Sequence, residues 1–242
     1  MTTCAVITGA SGTIGGALVR RWAGRGRRLV LVGRDGDRLD EAVATTVDAG
    51  GNASAVVADL SDLSSAEAVR HAVAEDDVDA LVCAAGGGGR PLPVADLTAS
   101  DWSDALAGNL TTTTTALAAL LPGMLARGRG TIVLVGSDAG HTGVDASLPY
   151  ATAKAAVAAL GRHLAARAAP QGLRVNVVAP GTVRTPRIDR LGDAVLRSLA
   201  DAHPVGRIGD PDEIAALIDF LTSDDASWIT GETIAPGGRS LR

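Results

Sequence analysis

Short apolar segments rich in β-branched residues alternate along the chain with longer alanine-rich segments of helical period. Val and Ile favour strands, and apolar residues that recur every three or four positions indicate one buried helix face. Because strands that are apolar at every position are buried on both sides, this alternation predicts a parallel sheet covered by helices on each face. We therefore predict an α/β fold of the Rossmann type, a doubly wound parallel sheet of about seven strands.

The predicted strands are the segments 4–8, 28–33, 53–58, 78–84, 130–136, 173–179 and 231–236. The predicted helices are the segments 13–25, 36–49, 63–75, 99–127, 150–169 and 211–222. No linker rich in Pro or Ser divides these segments, and no long repeat is visible. We therefore expect residues 1–242 to form a single domain.

Charge and composition exclude several classes of function. The chain has 22 basic and 27 acidic residues and a net charge of −5, which gives nucleic acid or an anionic membrane no electrostatic attraction. No apolar run approaches the roughly 18 residues of a membrane span, and the N-terminus lacks a secretion signal, so we expect a cytoplasmic protein. Cys4 and Cys83 lie in apolar segments typical of buried thiols, and the four widely separated histidines show no metal-ligand spacing. We expect no metal site.

The chain has 21 Arg but a single Lys, Lys154, and a single Tyr, Tyr150. The two stand four positions apart at the start of a helical segment, so the phenol and the ammonium share one helix face. An adjacent fixed cation favours the phenolate and lowers the pKa of a phenol from its usual value of about 10. Such a pair predicts proton transfer to the alkoxide that forms when a hydride adds to a carbonyl, or the reverse. A helix-surface pair without function is the alternative.

A glycine-rich segment, TGASGTIGG at 8–16, follows the first predicted strand and precedes a helix. Glycines are needed where the chain turns sharply and its backbone approaches a diphosphate, and a helix N-terminus supplies N–H donors and a positive dipole end. The segment predicts a dinucleotide-binding turn, with an ordinary tight turn as the alternative. The predicted cofactor contacts in it are Gly9, Ser11, Gly12, Thr13, Ile14 and Gly15.

The second predicted strand ends in Gly33 and Arg34, with no carboxylate at the strand end. A carboxylate there would accept hydrogen bonds from the ribose diol of NAD, whereas an arginine pairs with the 2′-phosphate of NADP and stacks on adenine. We therefore expect NADP(H) rather than NAD(H) as the cofactor. The alternative is that Arg34 is one more solvated arginine in an arginine-rich chain.

Together these residues resemble the classical short-chain dehydrogenases/reductases, and the resemblance covers nearly the whole chain. Ser137, in VGSDAG, matches the family serine that hydrogen-bonds the substrate oxygen, and Asn109, in DWSDALAGNL, matches the asparagine that holds a water in the proton relay. The resemblance implies that Lys154 also binds the nicotinamide ribose and that the catalytic residues are Asn109, Ser137, Tyr150 and Lys154. By residue type alone, Ser137 and Asn109 are equally typical of a strand-end turn and a helix bend.

The resemblance also implies cofactor contacts further along the chain. Asp59 and Leu60 resemble the pair that contacts adenine, although Asp59 alone is also typical of a turn cap, and PGTVRT at 180–185 resembles the loop that closes over the nicotinamide. The segment 206–214 and the glycines at 237–238 resemble the family's C-terminal region. The contacts implied beyond the glycine turn and Arg34 are Asp59, Leu60, Ala85, Gly86, Tyr150, Lys154, Pro180, Gly181, Val183 and Thr185.

Some positions depart from the family pattern. The turn has the form TGxxGxxG, closer to an extended branch of the superfamily, and the usual NNAG appears as CAAG at 83–86, without its two asparagines. Asp138 adds a carboxylate beside Ser137, for which a solvated strand-end charge is the alternative. His141 and His203 flank the expected substrate region, where a structural role is the more common one for a lone histidine.

The sequence therefore predicts an NADP(H)-dependent carbonyl reductase or alcohol dehydrogenase that acts on a ketone or secondary alcohol, with the cofactor supplying the redox chemistry. A redox-neutral lyase or epimerase, and a dinucleotide-sensing protein without catalysis, are the alternatives. We expect a substrate lid at about 184–206, in which Arg187 and Arg190 either contact an acidic group of the substrate or, as is more common, are solvated. The resemblance implies a homotetramer or a dimer, with helices around 102–127 and 150–169 packed against their mates.

Overall fold

A computed structural model of the chain describes residues 3–73, 77–89, 91–142 and 146–237. Within these ranges seven parallel strands form one sheet in the order β3-β2-β1-β4-β5-β6-β7. The predicted α/β doubly wound fold is confirmed. The strand order reverses between β1 and β4, and ligands of such sheets bind in the crevice that opens at this point beyond the carboxyl ends of the strands.

The strands are β1 (Thr3–Thr8), β2 (Arg28–Gly33), β3 (Asn52–Val57), β4 (Asp77–Cys83), β5 (Gly130–Val135), β6 (Leu173–Val178) and β7 (Thr233–Ile234). The helices are α1 (Thr13–Trp22), α2 (Gly36–Asp48), α3 (Ala66–Ala72), α4 (Ala99–Leu106), α5 (Thr112–Arg127), α6 (Leu148–Ala168), α7 (Asp193–Asp201) and α8 (Pro211–Thr222).

Two apolar cores cover the two faces of the sheet. On one face, α3, α5 and α6 bury side chains such as Leu120 and Val157 against the central strands. On the other face, α1, α2 and α8 bury Leu18, Leu39 and Ile218. The strands supply both cores because their successive side chains point to opposite faces. Burial on both sides keeps the strand ends, and the residues that follow them, in fixed positions.

A π-helical turn at Ala107–Thr111 interrupts the helix that the sequence predicts as continuous over 99–127. The hydroxyl of Thr113 donates to the carbonyl oxygen of Asn109 at 2.9 Å, and that of Thr112 donates to the same oxygen at 3.2 Å. These bonds satisfy a carbonyl oxygen within the widened turn, as threonine hydroxyls commonly do inside helices. The widened turn buries Asn109 at the start of α5, and such turns often occur at functional sites.

Several other boundaries also differ from the prediction. Helix α1 ends at Trp22 rather than at 25, since Gly24 follows with a φ of 71° that favours glycine. The helix predicted over 63–75 is a 3₁₀ turn at Leu63–Ser65 followed by α3, and positions 74–75 lie outside the described residues. Helix α6 begins two residues early, at Leu148. Each shift moves an element end but no element's place in the sheet.

At the C-terminal end of the chain the strand predicted over 231–236 is only two residues long. Gly238, part of the predicted family-like C-terminal region, lies outside the described residues. The segment predicted as a lid contains helix α7, which the sequence analysis did not identify and which buries none of its residues. A short helix without buried residues has few packing contacts to hold it, so α7 is a surface element.

Three general features bear on function. No helix in the described part of the chain is both long and apolar enough to cross a membrane. Across the four described ranges, no three His, Cys, Asp or Glu side chains lie together in a way that could hold a metal ion. Cys4 and Cys83 are buried and form no disulfide, which confirms that they are buried thiols.

Candidate active site

A cleft of about 1130 Å³ opens beyond the carboxyl ends of β1, β2 and β4. It lies where the strand order reverses, which is the expected ligand position in such a sheet. The four consecutive glycines at 86–89 form part of its wall. Nine of the predicted site residues line it, namely Gly9, Ser11, Gly12, Arg34, Asp59, Leu60, Ala85, Gly86 and Asn109.

The glycine turn between β1 and α1 leaves no room for side chains. Gly9 has a φ of 66°, and a Cβ there would lie 2.7 Å from the carbonyl oxygen of Ala84. Gly15 is buried, and a Cβ there would overlap the carbonyl oxygen of Gly9. Gly12 caps α1 with an extended backbone and no side-chain hydrogen bond. The N-terminus of α1 thus begins beside the cleft, at Gly12, and its first N–H groups have no partner within the helix, as in anion-binding helix termini.

The remaining predicted residues of the turn stand at the beginning of α1. Thr13 is the first helical residue and is half-buried. Ile14 packs against the core under α1 and α8. Both thus lie at the helix end that faces the cleft, but neither lines it. What they can offer a ligand is their backbone N–H groups, because the first four N–H groups of a helix have no partner within it.

Arg34 and Asp59 meet at the far end of the cleft. The Arg34 guanidinium lies 3.9 Å from a carboxylate oxygen of Asp59, and the Arg34 side chain is 78% exposed. The Asp59 carboxylate accepts hydrogen bonds from the hydroxyl and the N–H of Ser61, and these bonds hold its pKa below the usual value. Asp59 thus caps the turn after β3 and also lines the cleft, so its capping role and the predicted adenine contact are compatible, while Leu60 is buried.

Tyr150 stands near the start of α6 and meets Ser137 at the end of β5. Burial raises the pKa of the Tyr150 phenol above its usual value, and a hydrogen bond with Ser137 opposes this shift. The Ser137 hydroxyl oxygen also accepts a bond from the N–H of Ala139 at 3.3 Å. That bond fixes the serine at the strand end, beside the phenol.

Lys154 is buried one turn beyond Tyr150 on α6. Its ammonium donates to the carbonyl oxygen of Val135 at 2.9 Å, and burial lowers its pKa to about 8. The nitrogen lies 5.9 Å from the centre of the Tyr150 ring. The expectation that Lys154 lowers the pKa of Tyr150 is therefore wrong for this structure. Loss of solvent around the phenol has the larger effect on it, and the ammonium is bonded to the Val135 carbonyl instead.

Asn109 and Gly86 join this group to the cleft. The Asn109 amide donates to the carbonyl oxygens of Ala105 and Gly87, and its oxygen accepts from the Gly87 N–H at 3.1 Å. A Cβ on Gly86 would lie 2.6 Å from the Asn109 oxygen and 3.1 Å from the Lys154 nitrogen. The wall of the cleft, the asparagine and the lysine are thus in direct contact.

The segment that follows β6 lies on the other side of the site. The Pro180 carbonyl oxygen accepts from the Asp138 N–H at 2.8 Å, which ties this segment to the residue after Ser137. Val183 forms an isolated parallel bridge with Gly209. The Thr185 hydroxyl oxygen accepts from the N–H of Ile188. Gly181 and Val183 do not line the large cleft but a second cavity of about 250 Å³.

Two polar side chains near this segment are buried. Asp138 is only 3% exposed, and one of its carboxylate oxygens has no hydrogen-bond partner within the described residues. The solvated-charge alternative for Asp138 is therefore wrong, because the chain folds back over it. His203 is 9% exposed, and its Nε2 accepts from the Thr182 N–H at 2.9 Å. The expectation of a structural role for His203 is confirmed by this contact.

Comparison with known proteins identifies the family. A family model described as enoyl-(acyl carrier protein) reductase matches residues 9–238. Mouse dehydrogenase/reductase SDR family member 4 is 33% identical to this chain, over 97% of the chain and 85% of its own length. The chain belongs to the classical short-chain dehydrogenases/reductases. The predictions of this family and of a dehydrogenase/reductase enzyme are confirmed.

Solved structures of short-chain dehydrogenases/reductases superpose closely on the chain. L-sorbose reductase from Gluconobacter frateurii, in complex with NADPH and L-sorbose, covers 100% of this chain and 97% of its own, with a TM-score of 0.91 and 30% identity. A 3-oxoacyl-(acyl-carrier protein) reductase from Brucella melitensis with bound NAD covers 99% and 92%, with a TM-score of 0.90 and 29% identity. These two structures hold different nicotinamide cofactors.

Sequence reasoning missed three features of this short-chain dehydrogenase/reductase site. The carbonyl oxygen of Val135 accepts a hydrogen bond from Lys154. The one signal for this bond was the predicted strand end at this position, two residues before Ser137. The glycines at 87–89 extend the cleft wall, and the run GGGG signalled an approach of backbone to a ligand. The bond from Thr182 to His203 joins residues 21 apart, and nothing in the sequence pattern indicated it.

Proposed function

We propose that this chain is an NADP(H)-dependent carbonyl reductase, or alcohol dehydrogenase in reverse, that transfers a hydride between the nicotinamide and a ketone or secondary alcohol. The observation that carries the proposal is the grouping of Tyr150, Ser137 and Lys154 next to the cleft. Tyr150 is hydrogen-bonded with Ser137, and the Lys154 nitrogen lies beside Gly86, which lines the cleft although the other three residues do not. Proton donor, carbonyl-binding hydroxyl and nucleotide cleft are then neighbours, as this reaction requires.

A dinucleotide fits the residues that are present. Gly9 and Gly86 keep the cleft free where a Cβ would collide with backbone or with Asn109, and the α1 N-terminus offers unpaired N–H donors to a diphosphate. When bound, the nicotinamide supplies or accepts the hydride. Lys154, Asn109 and the segment 180–185 would hold the nicotinamide half, and Asp59 and Leu60 would border the adenine.

The protein's own part is to hold the carbonyl oxygen and supply a proton. Ser137 and Tyr150 donate hydrogen bonds to that oxygen. As negative charge develops on it, the phenol O–H bond breaks and a new O–H bond forms on the alcohol. The phenol carries its proton at neutral pH, since its usual pKa is about 10 and burial raises it further, so the proton is in place for transfer. A proton from solvent then returns to the phenolate through a water path beside Lys154 and Asn109.

The preference for NADP(H) rests on Arg34. Its guanidinium is exposed beside the cleft, and a long contact with Asp59 is the one ion pair that it makes with the described residues. It is therefore able to turn toward a 2′-phosphate and pair with it. L-sorbose reductase, which resembles this chain over its whole length, is complexed with NADPH. The Brucella reductase has NAD bound instead. A preference of this chain for NAD(H) is therefore the competing outcome.

The remaining organisation follows from the same proposal. Residues 1–242 form one domain, and the segment 184–206 with helix α7 is the lid over the substrate.

The chain assembles as a homotetramer or dimer. The helices around 102–127 and 150–169 pack against their mates in this assembly. Sedimentation equilibrium at a multiple of 24.2 kDa is expected, and a monomer mass would contradict it. A cytoplasmic location stays a prediction.

Replacement of Tyr150 with Phe tests the reaction. The wild type should consume NADPH with at least one member of a panel of ketones, L-sorbose, 3-oxoacyl thioesters and enoyl thioesters. Tyr150→Phe removes only the hydroxyl, so turnover should fall at least a thousandfold, at the upper end of what proton transfer contributes, roughly 10²–10⁴. Binding of NADPH should stay within about twofold of wild type.

The matched control is Thr152→Val, which removes a hydroxyl from an exposed position of the same helix. Its turnover should equal that of the wild type. If Tyr150→Phe retains wild-type turnover of a ketone, the proposed mechanism is wrong. Conversion of substrate without net consumption of NADPH would instead support a redox-neutral reaction, and NADPH binding without any conversion would support a sensor.

A further inference from the structure

The His203 imidazole bonds to the backbone of the segment that follows β6. Its Nε2 accepts from the Thr182 N–H at 2.9 Å, and the residue is 9% exposed. The ring also packs against Gly181, where an added Cβ would lie 2.3 Å from the ring carbon Cε1. The packing of the ring on Gly181 and its hydrogen bond to Thr182 together fix the position of the backbone at residues 181–182.

The backbone on the other side of Thr182 is fixed as well. The Thr182 carbonyl oxygen accepts from the Gly209 N–H at 2.9 Å, and the Arg184 N–H donates to the Gly209 carbonyl oxygen at 2.8 Å. On the near side, the Gly181 N–H donates to the Pro236 carbonyl oxygen at 3.4 Å, and Pro180 is bonded to Asp138. The imidazole is thus the acceptor for the Thr182 N–H between two sets of backbone bonds. Removal of the imidazole would free the Thr182 N–H and leave the other bonds in place.

The hydrogen bond also defines the state of the ring. An imidazole nitrogen that accepts an N–H bond carries no proton, so Nδ1 carries the proton in the neutral ring. Nδ1 is buried and has no hydrogen-bond partner among the described residues. It belongs to the small cavity that Arg207 and Glu213 also line, but those two side chains bond to each other. The contact with Thr182 is therefore the one polar interaction that this ring makes within the described chain.

His203 stands at the end of the proposed lid, directly after helix α7. The segment 180–185 that it holds is the one proposed to close over the nicotinamide. We propose that His203 is a positioning residue, which fixes the Thr182 backbone so that the segment 180–185 contacts the nicotinamide half of the cofactor. This inference rests on the proposed function, because it requires a nicotinamide cofactor in the cleft. His203 itself touches neither cofactor nor substrate.

The test compares binding of a whole cofactor with binding of its adenosine half. Dissociation constants are measured by calorimetry for NADPH and 2′,5′-ADP, or for NADH and ADP if the wild type binds NADH more tightly. Three variants are used: His203→Leu removes the acceptor, His203→Gln places an amide oxygen near the position of Nε2, and His203→Asn places one near Nδ1 instead. His71→Leu, on an exposed helix position, is the matched control.

His203→Leu should weaken binding of the whole cofactor about tenfold, the effect of one lost hydrogen bond to a fixed backbone, and change binding of the adenosine half less than twofold. His203→Gln should restore most of the affinity, and His203→Asn should not. His71→Leu should change neither. If His203→Leu proves unstable to heat, the comparison of Gln with Asn carries the test alone.

Two outcomes overturn the inference. Equal weakening of the whole cofactor and its adenosine half by His203→Leu would show a general structural role. Equal binding by the Gln and Asn variants would show that the acceptor at Nε2 is not needed. Failure of the proposed function has a different signature, because the wild type would then bind none of the four nucleotides.

Discussion

Gly86 and Asn109 are packed so closely that no side chain fits between them. A Cβ on Gly86 would lie 2.6 Å from the Asn109 amide oxygen, and Gly86 adopts a φ of 152°, which L-residues avoid. The same Cβ would lie 3.1 Å from the Lys154 nitrogen. The cleft wall, the π-helical turn and the buried lysine therefore depend on one residue without a side chain.

Gly86→Ala should lower the free energy of unfolding by about 2 kcal/mol or more, because the methyl group displaces Asn109 and the backbone angle is strained. Cofactor binding should weaken as well. The matched control is Gly87→Ala, where an added Cβ meets no atom within 4 Å. Urea unfolding followed by circular dichroism measures both variants. Equal losses in the two would show that the contact with Asn109 is unimportant.

Arg34→Ala should discriminate between the two nicotinamide cofactors. Loss of a charged hydrogen bond to the 2′-phosphate costs about 1.5–3 kcal/mol, so the dissociation constant for NADPH should rise about 10- to 100-fold while that for NADH changes little. Arg20→Ala is the charge-matched control, since Arg20 is exposed and pairs with Asp212 on the surface. Fluorescence titration with each cofactor measures the effect. An equal change for both cofactors would remove the assigned role of Arg34.

The sequence was sufficient for the sheet and for the residues that meet at its edge. Strand β2 has the predicted bounds of 28–33, because an apolar run between charged residues admits few other structures. The spacing of Tyr150 and Lys154 likewise follows from helix geometry. The π-helical turn could not be predicted, because it depends on threonine hydroxyls that compete with helix hydrogen bonds, and residue type alone does not decide that competition.

The sequence pattern also could not predict how deeply the polar side chains of the site are buried. A helix position predicts which face Lys154 shares with Tyr150, but not how much solvent either group loses when the helix packs on the sheet. That loss decides the sign of the pKa shift at Tyr150. Asp138 shows the same limit, since a carboxylate at a strand end is usually solvated and this one is buried.

Cys83 should be unreactive in the folded protein. It is buried beside Lys154, and loss of solvent raises its pKa to about 12, although the ammonium opposes the shift. Only the thiolate reacts with disulfide reagents, so Ellman's reagent should label Cys83 only after unfolding in guanidinium. Val47→Cys, at an exposed helix position, provides a reactive thiol for comparison. Labelling of native Cys83 at the rate of that control would contradict its burial.

The free energy of burying the Lys154 ammonium should appear as a pH dependence of stability. The pKa of Lys154 is about 8 in the folded chain, compared with 10.5 for a lysine that is not buried. The unfolded chain therefore binds the proton more tightly, and stability rises with pH between these values. Below pH 8 the full penalty is present, about 3 kcal/mol for a shift of this size. Lys154→Met should thus be more stable than wild type at pH 7, less the contribution of the lost bond to Val135.

This advantage of Lys154→Met should shrink as the pH rises from 8 to 10.5 and vanish at higher pH, where the lysine is neutral in both states. Thr152→Ala, at an exposed position on the same helix, has no titrating group and should show a constant difference from wild type over that range. Urea unfolding at four pH values measures all three proteins. An advantage that stays constant from pH 7 to 10.5 would mean that the ammonium keeps its ordinary pKa. Lys154 would then be hydrated rather than enclosed between α6 and the end of β5.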